Sequence, residues 1–198
     1  MSADFVYKLL FIGEASVGKT TLVNRYIHGV FIPDARLTIG VDFYSKKIKI
    51  PNGKKVKLQI WDFGGEERYR FLLPVYSKKA NAAFYLFDLT QKNTLDSIEH
   101  WLKVVYEIAG KIPIFLIGSK ADLEAGRQVT SEQALEVAKL HGLQSYIEIS
   151  SKTGFNITES FNLITQLLTM ESEKDGLRKE DEDKDENKDF KSVEVDDE

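Results

Sequence analysis

The stretch Gly13-Glu14-Ala15-Ser16-Val17-Gly18-Lys19-Thr20 decides how the rest of this chain is read. Glycine, four residues, then Gly-Lys-Thr is the spacing of a loop wrapped around a polyphosphate. Gly13 and Gly18 let the backbone turn so that the amides of Ala15, Ser16 and Val17 point inward as a nest. A helix opening after Gly18, with Thr21 in its first turn, adds unpaired N–H groups and its positive dipole end. Lys19 places an ammonium against the outer phosphates. The Thr20 hydroxyl is an oxygen ligand for Mg²⁺, a hard cation.

The surroundings supply the context such a loop needs. Residues 5–12 (FVYKLLFI) form a mostly apolar strand before it, and 18–28 have helical spacing after it. Further strands are expected at 41–50 and 54–61, joined by a hairpin in which Asn52-Gly53 supplies positive φ angles. Residues 63–79 read as a loop with a short helix. Strands at 82–89, 113–118 and 144–150 then alternate with helices at 94–108, 130–141 and 157–170. Thr130-Ser131-Glu132-Gln133 opens its helix with a capping-box pattern. Six strands alternating with helices predict an α/β fold of the P-loop NTPase kind. Its sheet is mostly parallel, with one antiparallel edge strand and helices on both faces.

Two more segments carry chemistry. Asp62 in Trp61-Asp62-Phe63-Gly64-Gly65-Glu66 is an acid near a strand end, suited to hold Mg²⁺ directly or through water. Gly65 offers a backbone N–H where a terminal phosphate would lie. Ser119-Lys120-Ala121-Asp122 follows another apolar strand. A carboxylate there accepts from guanine N1–H and the exocyclic amine, whereas adenine presents an acceptor at N1. Such a mismatch costs ~1–3 kcal/mol, so Asp122 favours guanine and disfavours an ATPase. Ser150-Ser151-Lys152, after the last strand, completes a base pocket at the carboxyl ends of the strands, where open α/β sheets bind ligands.

Composition narrows the class. Cysteine is absent from the 198 residues, which excludes disulfides, zinc-thiolate sites, a cysteine nucleophile and thioether-linked lipid. No apolar run approaches the ~20 residues of a membrane span. Met1-Ser2-Ala3-Asp4 has neither a signal-peptide pattern nor a myristoylation glycine. These features point to a cytoplasmic protein. The net charge of −4 is uneven, since 171–198 hold 14 Asp/Glu against 6 Lys/Arg. Two parts are therefore expected, a domain over 1–170 and an acidic, disordered tail over 171–198. Lys46, Lys47, Lys49, Lys54, Lys55 and Lys57 make a basic hairpin, read as protection of an edge strand rather than as a nucleic-acid site. His28, His100 and His141 lie on helices without ligand spacing.

Over residues 5–170 the chain resembles a small GTPase of the Ras superfamily, most closely the Rab family. Thr38-Ile39-Gly40-Val41-Asp42-Phe43 is similar to the Rab first switch. Lys57-Leu58-Gln59-Ile60-Trp61-Asp62 and Glu67-Arg68-Tyr69-Arg70 are similar to the interswitch and second switch. The resemblance implies that Lys19 contacts the β- and γ-phosphates and that Thr20, Thr38 and Asp62 hold Mg²⁺. It implies that Phe31 packs on the guanine edge, and that Lys120, Asp122, Ser151 and Lys152 frame the base. Ile39, Phe43, Trp61 and Tyr76 would form an effector surface. It further implies GTP and GDP as ligands, and effector, exchange-factor and GTPase-activating partners for a monomer. Switch segments at about 31–40 and 63–79 would be ordered by the γ-phosphate.

Several positions depart from the family pattern. Glu66 stands where a water-orienting glutamine is usual, a carboxylate that accepts from water but cannot donate to a phosphate. Phe63 and Gly64 replace threonine and alanine, and Ser151 replaces alanine. Ser119 replaces asparagine, and its shorter hydroxyl is expected to weaken the tie between base loop and phosphate loop. The lack of prenylation cysteines implies no direct lipid anchor and recruitment to membranes through a partner. Two readings stay open: a GTPase, slow without a partner, with Lys19, Gly65 and Glu66 as catalytic groups, and a GTP-bound scaffold with negligible hydrolysis.

Overall fold

The structure, a computed structural model, describes residues 2–33 and 36–191, with 176–191 as backbone only. Strand β1 (Phe5–Ile12) alternates its side chains across the sheet, as a period of two requires. Tyr7, Leu9 and Phe11 enter one apolar core, and Leu10 and Ile12 the other. Helix α1 (Lys19–His28) follows and turns Leu22, Val23 and Tyr26 onto the first core. It ends at Gly29, whose left-handed φ of 72° lets its N–H reach the Arg25 carbonyl.

Strands β2 (Val41–Lys49) and β3 (Lys55–Phe63) form the expected hairpin. Its turn differs in detail: among the described residues of the turn only Gly53 has positive φ (86°), and Ile50 pairs with Lys54 across residues 51–53. Residues 67–72 are a 3₁₀ turn leading into the short helix α2 (Leu73–Tyr76). Strand β4 (Ala82–Asp88) is buried throughout. The helix expected at 94–108 is broken at Ser97 into α3 (Asn93–Asp96) and α4 (Ile98–Ala109). There the Thr94 carbonyl accepts from the Tyr85 hydroxyl (2.6 Å) and from Ser97 Oγ (3.3 Å) instead of continuing the ladder.

Strand β5 (Ile114–Ser119), helix α5 (Ser131–Leu140), strand β6 (Ser145–Glu148) and helix α6 (Ile157–Lys191) complete the chain. The capping box at α5 is present: Thr130 Oγ1 accepts from the Gln133 N–H, and Gln133 Oε1 from the Thr130 N–H.

The strand order is β2-β3-β1-β4-β5-β6, parallel throughout except for β2 on the edge. This is the predicted six-stranded sheet. Helices α1 and α6 cover one face, and α2, α4 and α5 the other. The carboxyl ends of β1, β3, β4, β5 and β6 therefore share one rim, and the loops there build the site.

Helix α6 is longer than sequence predicts. It packs through Ile157, Phe161, Ile164 and Leu168 and then runs on to Lys191, where an unordered tail was expected. A packed first half removes the nucleation cost, and the Lys and Glu that follow are good helix formers. Lys54 Nζ meets Glu173 at 2.7 Å, and the Tyr7 hydroxyl meets Ser172 Oγ at 3.0 Å, fixing the first extra turn. Residues 192–198 of the expected tail lie outside the described residues.

Candidate functional site: a nucleotide cradle at the strand ends

A cavity of about 920 Å³ opens on the rim. Ala15, Ser16, Val17, Gly18, Lys19, Thr20 and Thr21 line one side, with Phe31, Thr38, Gly65 and Glu66 beside them. Ser119, Lys120, Asp122, Ser151 and Lys152 line the far end. The structure thus gathers most of the predicted residues from five separated stretches of chain. Pro33, Arg36, Leu37, Phe63 and Leu123 also line it and were missed, since no chemical pattern singles them out.

The phosphate loop is held by its glycines. Gly13 has φ 130°, and a Cβ there would lie 2.2 Å from the Leu86 carbonyl oxygen, so only glycine fits. Gly13 does not itself line the cavity; its carbonyl accepts from Lys19 Nζ at 2.8 Å, as does that of Glu14 at 2.7 Å. Gly18 caps α1 at φ 97° with no side-chain cap, which leaves the first-turn amides unpaired by it. Ser16 is left-handed at φ 62°. Lys19 is buried, and that burial pulls its ammonium down to about 8 against the opposing pull of Asp62 and Glu14.

Three oxygen side chains converge next to Lys19. Thr20 Oγ1 lies 2.6 Å from Thr38 Oγ1 and donates to Asp62 Oδ2 at 2.5 Å, and Thr38 Oγ1 lies 3.3 Å from the same oxygen. Asp62 is fully buried, which pushes its carboxyl up to about 6, and its Oδ1 has no partner. A buried carboxylate oxygen without a donor, next to two hydroxyls, fits a hard divalent cation. Among the described residues no group of three or more His, Cys, Asp or Glu could hold a metal.

The base end is braced from below. Asp122 Oδ1 accepts from Ser150 Oγ at 2.6 Å. Ser150 is buried and absent from the cavity wall, and its hydroxyl braces Asp122 from behind. Lys120, left-handed at φ 62°, places Nζ 2.6 Å from the buried Asp88 carboxylate. Burial acts to raise the Asp88 carboxyl, but hydrogen bonds from Lys120 and Thr90 outweigh it, and the net shift is downward. Asp88 was not foreseen; a single acid ending a buried strand is too common a pattern to stand out. The expected loosening at Ser119 is not what the geometry gives. Its hydroxyl reaches the Val17 carbonyl at 2.6 Å and the Phe87 carbonyl at 2.9 Å, so base loop and phosphate loop stay tied.

The switch segments meet at glycines. A Cβ on Gly65 would lie 2.2 Å from the Ala15 nitrogen, and one on Gly64 would lie 2.5 Å from the Thr38 carbonyl oxygen. The Gly64 N–H donates to the Gly40 carbonyl at 2.8 Å. Glu66 lines the cavity with its carboxylate paired to Arg68 through Nε (3.0 Å) and Nη2 (3.1 Å). Outside the cavity, Trp61 bridges Phe43 and Tyr76, with ring centroids 5.2 Å apart in each pair. Ile39 is 78% exposed.

Residues 8–170 match the family model described as Ras family. The chain is 40% identical over 166 residues to the human Ras-related protein Rab-19, covering 83% of this chain and 76% of that one. It is 38% identical over 169 residues to Rab-19 of Xenopus laevis, covering 83% and 78%. Against the Ras-related protein Rab-2B of Dictyostelium discoideum the figures are 36% over 168 residues, covering 84% and 82%. With a phosphate loop, a six-stranded sheet and this match over most of its length, the chain belongs to the Ras family of small GTPases, is Rab-like, and is a GTP-binding switch that hydrolyses GTP.

Proposed function

We propose that residues 13–21 hold the polyphosphate, with Lys19 on its outer phosphates, and that Asp122, aimed by Ser150, selects guanine with Lys120, Ser119, Ser151, Lys152 and Phe31 around the base. The observation that carries this is the meeting of Lys19, the Thr20–Thr38–Asp62 oxygens and Asp122 around one cavity. Thr20, Thr38 and Asp62 would hold Mg²⁺, which when bound neutralises charge on the phosphate oxygens. Water attacks the γ-phosphorus in line, the bond to the bridging oxygen breaks, and GDP and phosphate leave. Gly65 N–H and Lys19 stabilise the charge that develops, and Glu66 accepts from the water.

The γ-phosphate draws Thr38 and Gly65 together, so its loss releases both switch segments. Ile39, Phe43, Trp61 and Tyr76 then change their presentation to effectors, which is how the state is read. The Rab resemblance supports a role in vesicle or membrane trafficking for a cytoplasmic monomer brought to membranes by a partner. Residues 1–170 are the working domain, and 171–198 an acidic appendage. Neither the fold nor the relatives favours a scaffold without hydrolysis. Single-turnover GTP cleavage by the wild type and by Glu66→Ala tests the catalytic part. A drop of about tenfold is expected, the size of one charge-assisted hydrogen bond; equal rates would remove Glu66 from the mechanism.

A further inference from the structure

We propose that Glu14, Arg70 and Trp101 form a clasp seating the second switch on the phosphate loop, with Glu14 and Arg70 as positioning residues for GTP cleavage. Glu14 lies within the phosphate loop, yet its side chain points away from the cavity. Its Oε1 accepts from Arg70 Nη2 at 2.9 Å and from Trp101 Nε1 at 3.0 Å, and its Oε2 lies 3.2 Å from the same Arg70 nitrogen. The Arg70 guanidinium stacks 5.1 Å from the centre of the Trp101 ring. The three side chains come from the phosphate loop, the 3₁₀ turn at 67–72 and α4.

Two of the three are fixed by the core. Trp101 is 1% exposed and sits among Ile98, Leu102 and Val105 in the second core. Glu14 follows Gly13, whose backbone is pressed against Leu86. Arg70 is the partner carried by the switch. The second switch thus touches the phosphate loop twice, through the Gly65 backbone against residues 14 and 15 and through Arg70 on Glu14. Residues 66–69 span the two contacts. Within that span Glu66 pairs with Arg68, a neighbour on the same segment, so that pair does nothing to hold the span down. The clasp ties its far end to the phosphate loop.

The side chains of Glu14 and Arg70 are only about a quarter exposed, which strengthens a charge-assisted bond relative to a surface pair. Removing the side chain would also strand the buried Trp101 N–H, whereas glutamine keeps an oxygen for it and loses only the charge that grips Arg70. Neither Glu14 nor Arg70 lines the cavity, so each acts on the reaction through Gly65 and Glu66 and not on the nucleotide directly. The inference therefore rests on the reading that Gly65 and Glu66 serve the γ-phosphate and the attacking water.

The test uses the full chain, measuring single-turnover GTP cleavage and GDP affinity for wild type, Glu14→Gln, Arg70→Ala, Arg70→Lys and the Glu14→Gln/Arg70→Ala double variant. Cleavage is expected to fall about tenfold in Glu14→Gln and Arg70→Ala while GDP affinity stays within about threefold. The double variant should be no slower than the slower single, and Arg70→Lys should recover part of the rate. Should Arg70→Ala fail to fold, the near-isosteric Glu14→Gln carries the test. Unchanged cleavage, multiplying losses in the double variant, or a parallel loss of GDP affinity would each overturn the clasp. A wild type that neither binds GDP nor cleaves GTP would instead overturn the reading beneath it.

Discussion

Ser119 has one proton and two carbonyls within reach, those of Val17 and Phe87. One donated bond at a time is enough to tie the base loop to the phosphate loop, and that tie is missing in Ser119→Ala. A buried hydrogen bond of this sort is worth ~1 kcal/mol, and a stranded carbonyl adds to the loss. GDP release, followed with a fluorescent analogue, is expected to quicken about five- to tenfold in that variant; an unchanged rate would show the tie to be idle. The residues of the phosphate loop were legible in sequence because each chemical need there maps to one residue type at one spacing. Asp88, Glu14, Arg70 and Trp101 were not, because their meaning lies in partners far along the chain. Trp101 and Glu14 stand 87 positions apart, and no local pattern reports such a pairing.

At the scale of elements, the second switch is shaped by what its glycines allow. Gly64 lies so close to the first switch that a methyl group would sit 2.5 Å from the Thr38 carbonyl oxygen and 3.1 Å from that of Gly40. Gly64→Ala must push residues 38–40 outward, and with them the Thr38 hydroxyl that faces Asp62. Preference for a non-hydrolysable GTP analogue over GDP is expected to fall at least threefold, with GDP affinity little changed. A preserved preference would mean that Thr38 does not need this approach. The strands and the antiparallel edge were readable from apolar runs and the Asn-Gly hairpin; the order of the strands in the sheet was not. The break at Ser97 was not, because hydrophobic spacing runs through it and only the Tyr85 and Ser97 hydroxyls, both donating to the Thr94 carbonyl, interrupt the ladder. The length of α6 was misjudged for the opposite reason: composition speaks of solubility, while a packed helix can extend on propensity alone.

For the molecule as a whole, stability and ligand binding meet at the β6 end of the sheet. Glu148 accepts from Arg127, Ser131 and Tyr146, joining the segment before α5, that helix and the last strand. Hydrogen bonds from Arg127, opposed by burial, hold its carboxyl down to about 2. The folded value lies below the unfolded one of roughly 4.3, so the stabilisation is complete above about pH 5 and is lost as pH falls through about 2. Glu148→Gln should therefore lower the urea midpoint most at neutral pH and converge with the wild type near pH 2. A difference independent of pH would deny the carboxylate this role. Among the described residues no helix is long and apolar enough to cross a membrane, and the most evident built cavity is the one at the strand ends. What that cavity accepts decides everything else. Calorimetric titration of nucleotide-free protein with GDP and with ADP, Mg²⁺ present, is the most direct measurement. The account predicts one tight site for GDP and affinity for ADP lower by at least a hundredfold. Equal heats from the two nucleotides, or none from GDP, would contradict it.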